Sequence, residues 1–276
     1  MHPLLQGHNR TKATLLDGGV ALGMFLLSGS SMLAEVCSTL PLDWLMVDLE
    51  ASPISRYELL PILQSLNGST VTPFVRAQSR EHWHLEQILD LGVQGILVPK
   101  VDDADTARRV VAACRFPPLG ARGVNPVRAS GYFSDVAGYL SSANERVLCM
   151  VQIESAKAVA AAAEIAAVEG IDGLFIGAGD LALSLGQPAN VVGPKMDDAC
   201  HRVLEAAQRA GKFPGIFAYS LELADIYAEQ GFKFIAIGND VKAIREWVTG
   251  SASHVRGRAP ASIAAAISGS HPPSRG

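Results

Sequence analysis

Short apolar runs alternate with amphipathic segments along most of the chain. Eight of the runs are apolar at consecutive positions, which predicts strands that are buried on both faces of a parallel sheet. The predicted strands are ALGMFLL (21–27), DWLMVDLE (43–50), VTPFVR (71–76), GILVPK (95–100), VLCMVQIE (147–154), DGLFIGAGD (172–180), PGIFAYS (214–220) and KFIAIGND (233–240).

The segments between these strands have apolar residues spaced by three or four positions, which predicts helices. The predicted helices are 31–40, 56–66, 84–92, 104–115, 157–170, 196–211, 222–231 and 241–250. Several of them end at a glycine, as helices with a left-handed C-terminal residue do, among them those that end at Gly92, Gly170, Gly211 and Gly231. Eight strand–helix units predict one closed (β/α)8 TIM barrel, and no GxGxxG motif follows an early strand to favour an open dinucleotide-binding sheet.

The chain divides into three predicted parts: a lead-in over 1–20, the barrel over 21–255 and a flexible tail over 256–276. The tail sequence SGSHPPSRG has no apolar periodicity, which is typical of disorder. Residues 116–146 are interpreted as a long loop between the fourth helix and the fifth strand. A loop of that length in a compact domain is usually functional or part of a subunit interface.

Composition and charge argue against a nucleic-acid-binding or membrane protein. The 276 residues are 49% hydrophobic, the net charge is −4, and no basic run indicates nucleic-acid or membrane-surface binding. No apolar run reaches the ~18 residues of a membrane span. Arg10 and Lys12 precede VALGMFLLSGSSMLA, as in a signal peptide, but Asp17-Gly18-Gly19 interrupts that pattern and a buried strand explains it better. The four cysteines are scattered, which favours reduced thiols in a cytoplasmic protein.

Polar side chains stand where the predicted strands end, which in this fold is where active sites lie. They are Asp48, Glu50, Arg76, Lys100, Gln152, Glu154, Asp180, Tyr219, Ser220, Asn239 and Asp240. Carboxylates gathered in one place repel one another unless a cation compensates. Glu154 and Asp180 each close an otherwise apolar strand, and oxygen ligands without a His/Cys cluster favour Mg²⁺ or Mn²⁺. Arg76 suits a substrate carboxylate, so the pattern predicts a site for a small 2-oxo acid chelated to a metal.

Each of these residues also has a structural explanation. Asp48 alone is explained as a cap of the next helix, Glu50 and Arg76 as members of salt bridges, and the GAGD segment, 177–180, as a strand-to-helix turn. Their joint position at the ends of successive strands is what favours a site. Lys100 leaves a mechanistic alternative open, because a desolvated lysine there would form a Schiff base with a ketone.

Seven segments occur in a characteristic order. They are DWLMVDLE, PFVR, ILDLGVQGILVPKV, FPPLGARGVN, VQIESAKAV, GIDGLFIGAGDLALSLG and FIAIGND. Between about Gly23 and about Trp247 this set resembles the HpcH/HpaI family of metal-dependent pyruvate aldolases. The resemblance implies a (β/α)8 barrel, usually hexameric, whose eighth helix is exchanged between subunits.

The resemblance also assigns roles to residues. It implies a divalent metal held by Glu154 and Asp180, and an enolate stabilised by Arg76. Asp90, in LDLG, corresponds to a residue that reaches a neighbouring subunit's site in relatives and is a candidate catalytic residue together with Arg76 and Asp48.

The resemblance also indicates substrate-contacting positions and two positions at which this sequence differs from the family. Gln152 and Gly179 match positions that contact substrate or metal-bound water, and the adjoining Ala178 replaces the family proline. The family continues its second strand as D-x-E-H, with a histidine that takes part in proton abstraction. Here the sequence is Asp48, Leu49, Glu50 and then Ala51, so the imidazole is absent. Loss of a general base typically costs 10²–10⁴-fold in rate.

Three interpretations of this loss remain. In the first, the protein is a metal-dependent C–C lyase that acts on a pyruvate- or oxaloacetate-like acid, and another base substitutes for the histidine. The candidate bases are His82, His84 and Asp48 acting through a water, and Glu50 supports the loop. In the second, the 2-oxo acid is the electrophile of a citrate-synthase-like enzyme of siderophore biosynthesis, with an acyl-CoA donor. In the third, the barrel binds a metabolite without catalysis, which the presence of the metal and arginine groups disfavours. The first is our prediction, for a homo-oligomer.

Overall fold

Eight parallel strands close into a barrel, each paired with its neighbours in chain order and β8 paired with β1. The computed structural model describes residues 9–257. The strands are β1 (Ala21–Leu26), β2 (Trp44–Asp48), β3 (Thr72–Arg76), β4 (Gly95–Val98), β5 (Leu148–Ile153), β6 (Gly173–Ile176), β7 (Phe213–Phe217) and β8 (Phe234–Asn239). The prediction of a single (β/α)8 barrel is therefore confirmed.

Helices precede, separate and follow the strands. They are α1 (Arg10–Leu16), α2 (Ser31–Ser38), α3 (Arg56–Ser65), α4 (His82–Asp90), α5 (Ala104–Cys114), α6 (Val136–Arg146), α7 (Ala156–Ala160), α8 (Ala162–Ala166), α9 (Ala178–Ser184), α10 (Pro194–Arg209), α11 (Leu221–Gln230) and α12 (Asp240–Arg256). All eight predicted helical segments overlap one or two of these helices.

Four details differ from the sequence-based prediction. The lead-in contains α1, and the segment interpreted as a long loop contains α6, where Asp135 caps the helix by accepting a hydrogen bond from Gly138 N–H at 2.8 Å. The predicted helix over 157–170 is two short helices separated at Ala161. The sixth strand ends at Ile176, and the GAGD residues begin α9 instead of extending the strand.

Two apolar layers lie on opposite sides of the strands. Leu45 and Val47 belong to the cluster between strands and helices, whereas Trp44 and Met46 belong to the cluster inside the barrel. The interior is rich in aromatic rings, with Trp44 stacked on Phe234 at a centroid distance of 4.1 Å. A Cβ at Gly23 would overlap the Trp44 ring, so a glycine is required beside that ring.

Among the described residues, 241–257 group separately from 9–240 as a second unit. Its described part is α12 beyond Asp240, and large apolar side chains on it are exposed. These are Val241, Ile244, Trp247, Val248 and Val255. Most of the predicted tail, from residue 258 onward, lies outside the described residues.

Two further observations concern the whole described range. Across residues 9–257, no helix combines the length and the hydropathy that crossing a membrane requires. Cys37, Cys114, Cys149 and Cys200 are buried free thiols.

Candidate active site

The period of the strands places polar side chains at one end of the barrel. Successive side chains of a strand point to opposite faces, so residues two apart share a face. Met46, Phe74 and Met150 belong to the interior cluster. The next inward-facing positions on these three strands are Asp48, Arg76 and Gln152, at the carboxyl ends. The alternation of inward- and outward-facing residues along the strands therefore brings Asp48, Arg76 and Gln152 to the same end of the barrel.

Asp48 and Arg76 form an ion pair with two hydrogen bonds at this end of the barrel, which we call the mouth. The Arg76 guanidinium donates from Nε to Asp48 Oδ1 at 2.8 Å and from Nη2 to Oδ2 at 2.6 Å. Asp48 Oδ1 also accepts hydrogen bonds from the backbone N–H groups of Glu50 and Ala51. Burial alone would lower the pKa of Arg76, but the hydrogen bonds and charge of Asp48, with the charges of Glu50 and Glu154, raise it overall. Arg76 is therefore a permanently charged, oriented guanidinium.

Glu50 joins two cations at the mouth. Its Oε2 lies 3.2 Å from Arg76 Nη1, and its Oε1 lies 3.3 Å from Lys100 Nζ. The side chain of Lys100 is 64% exposed, so its amine is solvated and ion-paired. A Schiff-base lysine needs a desolvated amine. The geometry therefore favours an ion-pairing role for Lys100.

Glu154 is a buried carboxylate with two hydrogen-bond donors. Its Oε1 accepts from the backbone N–H of Lys100 at 2.7 Å, and its Oε2 accepts from Gln152 Nε2 at 2.6 Å. Burial, together with the negative charges of Glu50 and Asp180, raises the pKa of Glu154 to about 7. A cation beside these three carboxylates would reverse that effect.

The residues present fit a hard divalent ion. Asp180 lies in the first turn of α9 and is exposed, close enough to Glu154 for its charge to affect that group. Within residues 9–257 no group of three or more His, Cys, Asp or Glu side chains forms a metal-binding cluster. The buried Oε1 of Gln152 has no hydrogen-bond partner among the described residues. Two carboxylates and an unpartnered amide oxygen form the oxygen-rich set that Mg²⁺ and Mn²⁺ prefer.

Gly177 allows this arrangement. A Cβ there would overlap Gln152 Nε2 and lie 2.8 Å from Glu154 Oε2. The backbone of the GAGD segment therefore approaches the carboxylate closely, and Gly179, two residues further, is exposed to the mouth beside the buried Ala178.

The mouth has an aromatic side, of which the sequence analysis identified Tyr219 but not Phe25 or Phe217. The Arg76 Cζ lies 5.3 Å from the centroid of the Phe25 ring, which contacts Phe217 at 5.6 Å between centroids. Phe217 packs on Tyr219 at 4.9 Å, and the Tyr219 hydroxyl lies 3.4 Å from the position of a Cβ at Gly179. Burial and the charge of Asp180 raise the pKa of Tyr219. The signal was available for Phe25, since Ala21, Gly23 and Phe25 alternate along β1.

Asp90 lies away from this cluster. It is the last residue of α4, which returns from the mouth towards the opposite end of the barrel. Its Oδ1 accepts a hydrogen bond at 2.7 Å from the buried Arg122, whose Cζ lies 4.5 Å from the Phe116 ring centroid. Burial raises the pKa of Asp90 despite that partner. A role for Asp90 in a neighbouring subunit's site stays a prediction.

The two candidate histidines have other contacts. His82 pairs with Glu86 at 2.9 Å, one turn along α4. His84 packs edge-on against Trp83, and burial lowers its pKa. No hydrogen bond or ion pair within residues 9–257 joins either imidazole to the carboxylates of the mouth. Position 51, where the family has its histidine, is an exposed alanine.

Comparisons with known proteins identify the family of this chain. The model of the HpcH/HpaI aldolase/citrate lyase family matches residues 21–246. The chain belongs to this family. A 4-hydroxy-2-oxovalerate aldolase of Rhodococcus jostii is 41% identical over 233 residues, covering 84% of this chain and 90% of that protein.

Solved structures of family members have the same fold. A HpcH/HpaI aldolase/citrate lyase family protein from Burkholderia cenocepacia superimposes with a TM-score of 0.86 at 34% identity, covering 90% of this chain and 99% of that one. The citrate synthase SbnG superimposes with a TM-score of 0.81 at 25% identity, covering 90% and 98%. The proteins to which this chain is similar therefore include one named as an aldolase and one named as a citrate synthase.

Proposed function

We propose that this protein is an aldolase-type C–C lyase that cleaves or forms a bond beside the carbonyl of a short 2-oxo acid such as pyruvate. The observation that supports this best is the oriented Arg76 beside the buried Glu154 and the exposed Asp180. An arginine, two carboxylates and an unpartnered amide oxygen suit a small acid with adjacent carboxylate and keto groups. The similarity to a 4-hydroxy-2-oxovalerate aldolase supports the same class of reaction.

Arg76 would bind the substrate and stabilise developing charge. A guanidinium has five N–H donors, and three are directed at Asp48 and Glu50. The other two remain for the carboxylate of the acid and for the enolate oxygen that forms when the C–C bond breaks. Asp48 and Glu50 fix the guanidinium before substrate arrives, so little reorganisation is needed during the reaction.

Glu154 and Asp180 would hold Mg²⁺ or Mn²⁺. When bound, the ion would supply Lewis acidity that polarises the keto group of the acid. Gln152 would keep Glu154 in place through its Nε2–H, and the backbone N–H groups at Ala178 and Gly179 would bind substrate oxygens.

The family histidine takes part in proton abstraction, and this chain has Ala51 in its place, so another group must act as the base. Asp48 is fully buried and accepts four hydrogen bonds, which favours its orienting role over direct proton abstraction. Asp48 acting through a water remains a candidate, as do His82 and His84 after movement of α4.

Proton exchange at C3 of pyruvate in D₂O, followed by NMR, tests the proposal. Exchange that requires Mn²⁺ or Mg²⁺, stops with EDTA and is lost in Arg76→Lys would support enolate chemistry at this site. Metal-dependent binding of pyruvate without exchange would contradict it.

A second candidate is a citrate-synthase-like condensation, with oxaloacetate as electrophile and an acyl-CoA as donor in a siderophore pathway. Ala51 is compatible with it, since the 2-oxo acid would be attacked at its keto carbon and would not itself be enolised. The proton lost would instead be the α-proton of the acyl-CoA, which another group at the mouth would have to accept. The similarity to the citrate synthase SbnG supports it too. Release of free CoA from acetyl-CoA and oxaloacetate, measured with a thiol reagent, separates this activity from pyruvate exchange.

We also propose a cytoplasmic homo-oligomer, a hexamer with α12 exchanged between subunits. The exposed apolar side chains of α12, such as Ile244 and Trp247, support a subunit contact, and the four free thiols support a reducing compartment. Light scattering of the wild type and of Ile244→Glu/Trp247→Glu tests the assembly. A monomeric wild type would contradict it.

A further inference from the structure

Lys100 occupies a constrained position at the edge of the substrate site. Its φ is +57°, a left-handed conformation that is uncommon outside glycine. The backbone is held on both sides, since its N–H donates to Glu154 Oε1 and its carbonyl accepts a hydrogen bond from the Arg80 guanidinium. Contacts therefore fix the residue where a glycine would be less strained, and a strained residue at a site calls for a functional explanation.

The side chain of Lys100 is directed across the mouth. Its Nζ lies 3.3 Å from Glu50 Oε1, and the other oxygen of that carboxylate contacts Arg76 Nη1. A single carboxylate therefore separates the lysine ammonium from the guanidinium that would bind the 2-oxo acid. The Lys100 side chain is nevertheless 64% exposed, and an ammonium group has three donors, so donors remain for a ligand.

Asp48, Arg76, Glu50 and Lys100 contact one another in that order, and their charges sum to zero only because Lys100 is present. Asp48 and Arg76 neutralise each other through two hydrogen bonds, and Lys100 neutralises Glu50. Without the lysine, Glu50 would leave an uncompensated negative charge at the mouth beside Arg76. A negatively charged aldehyde would then be repelled, whereas a neutral aldehyde would be little affected.

From this geometry we infer that Lys100 determines acceptor specificity: it binds the distal anionic group of the aldehyde that joins, or leaves, the 2-oxo acid. This inference rests on the proposed aldolase function and deepens it. The acceptor class is a short aldehyde with a carboxylate or another anion a few carbons from the reacting carbonyl. Lys100 touches that remote group and takes no part in bond making.

The test compares two aldehydes of equal chain length, 4-oxobutanoate and butanal, as acceptors for pyruvate with Mn²⁺. Wild-type protein is expected to prefer 4-oxobutanoate. Lys100→Gln should lower kcat/KM for 4-oxobutanoate about tenfold, mainly through KM, and leave that for butanal within about twofold. Lys100→Arg should restore much of the preference.

Lys157 provides a matched control. Its side chain is 67% exposed and its Nζ contacts Asp103 at 2.9 Å, so it is an ion-paired lysine of similar exposure. Lys157→Gln should change neither acceptor. Equal losses for both aldehydes in Lys100→Gln would overturn the inference and make Lys100 a support of Glu50, and an unchanged preference would overturn it as well.

Failure of the proposed function has a different signature. A protein that neither exchanges pyruvate protons nor condenses butanal lacks the aldolase activity, and the inference falls with it. A protein that does both but shows no loss specific to 4-oxobutanoate in Lys100→Gln retains the function and contradicts the inference alone.

Discussion

Asp48 and Arg76 are cross-strand neighbours in the register of β2 and β3, and two hydrogen bonds of 2.8 and 2.6 Å join their side chains. The pairing follows from parallel strands whose inward positions coincide at their last residues. It makes the carboxylate a positioning group for the guanidinium.

Asp48→Asn keeps the shape of this contact and removes the charge. We expect pyruvate exchange to fall by about 10²-fold, since one preorganised electrostatic contact has that value in other enzymes. Because the largely buried Arg76 loses the counter-ion that it contacts through two hydrogen bonds and keeps only Glu50, unfolding should need up to about 3 kcal/mol less free energy. Urea denaturation and NMR exchange measure the two effects.

Asp103→Asn is the control for Asp48→Asn. Asp103 also accepts a charged hydrogen bond, from Lys157, but at the surface, so its loss should cost under about 1 kcal/mol and leave exchange unchanged. Equal effects of the two substitutions would contradict the role assigned to Asp48.

Ala51→His restores the side chain that the family has at this position. Position 51 is exposed, so an imidazole meets no packing obstacle, and its backbone N–H already donates to Asp48 Oδ1. We expect metal-dependent pyruvate exchange to rise by about 10²-fold, with little change in Tm. Ala51→Gln adds similar bulk without a base and should leave the rate unchanged. A rise in both variants, or in neither, would show that no base is missing.

The period of apolar residues made the barrel predictable. Strands that are buried on both faces, each followed by an amphipathic helix, allow few other folds. The same regularity located Glu154, because it stands two residues beyond Gln152 on one inward face. The apolar pattern gave the wrong end for the sixth strand. The apolar run continues past Ile176, but Gly177 lets the backbone turn and the GAGD residues begin α9.

Contacts between elements were less predictable. The link from Lys100 N–H to Glu154 joins β4 to β5 and depends on a left-handed residue that no local pattern indicates. The aromatic contact of Phe25 with Arg76 joins strands far apart in the chain. Val136, Tyr139, Leu140 and Ala143 have the helical period of α6, so this helix was predictable although residues 116–146 were interpreted as a loop.

Gly177→Ala should weaken the metal site while the barrel remains folded. A Cβ there would displace Gln152 Nε2 and crowd Glu154 Oε2, so Mn²⁺ affinity should fall at least about tenfold by electron paramagnetic resonance. Gly179→Ala is the matched variant, since its Cβ would meet only the Tyr219 hydroxyl at 3.4 Å. It should retain Mn²⁺ binding and weaken binding of pyruvate. Equal Mn²⁺ affinity of the two variants would contradict the assignment.

The pKa of about 7 for Glu154 predicts how stability changes with pH. Its ordinary value is 4.5, so between these values the folded protein keeps a proton that the unfolded chain has released. The stabilising effect of that proton is complete below about pH 4.5 and is lost as the pH rises through 7. In EDTA, the Tm should therefore decline from pH 5 to pH 8.

Glu154→Gln should remove this part of the decline, because glutamine resembles the protonated acid at every pH. Mn²⁺ should remove it too in the wild type, since the ion replaces the proton, and calorimetry in buffers of different ionisation enthalpy should detect up to one proton released per ion bound near pH 6. Identical pH profiles of Tm for wild type and Glu154→Gln without metal would mean that Glu154 is already ionised at pH 5. That result would contradict the raised pKa, which burial and the charges of Glu50 and Asp180 cause.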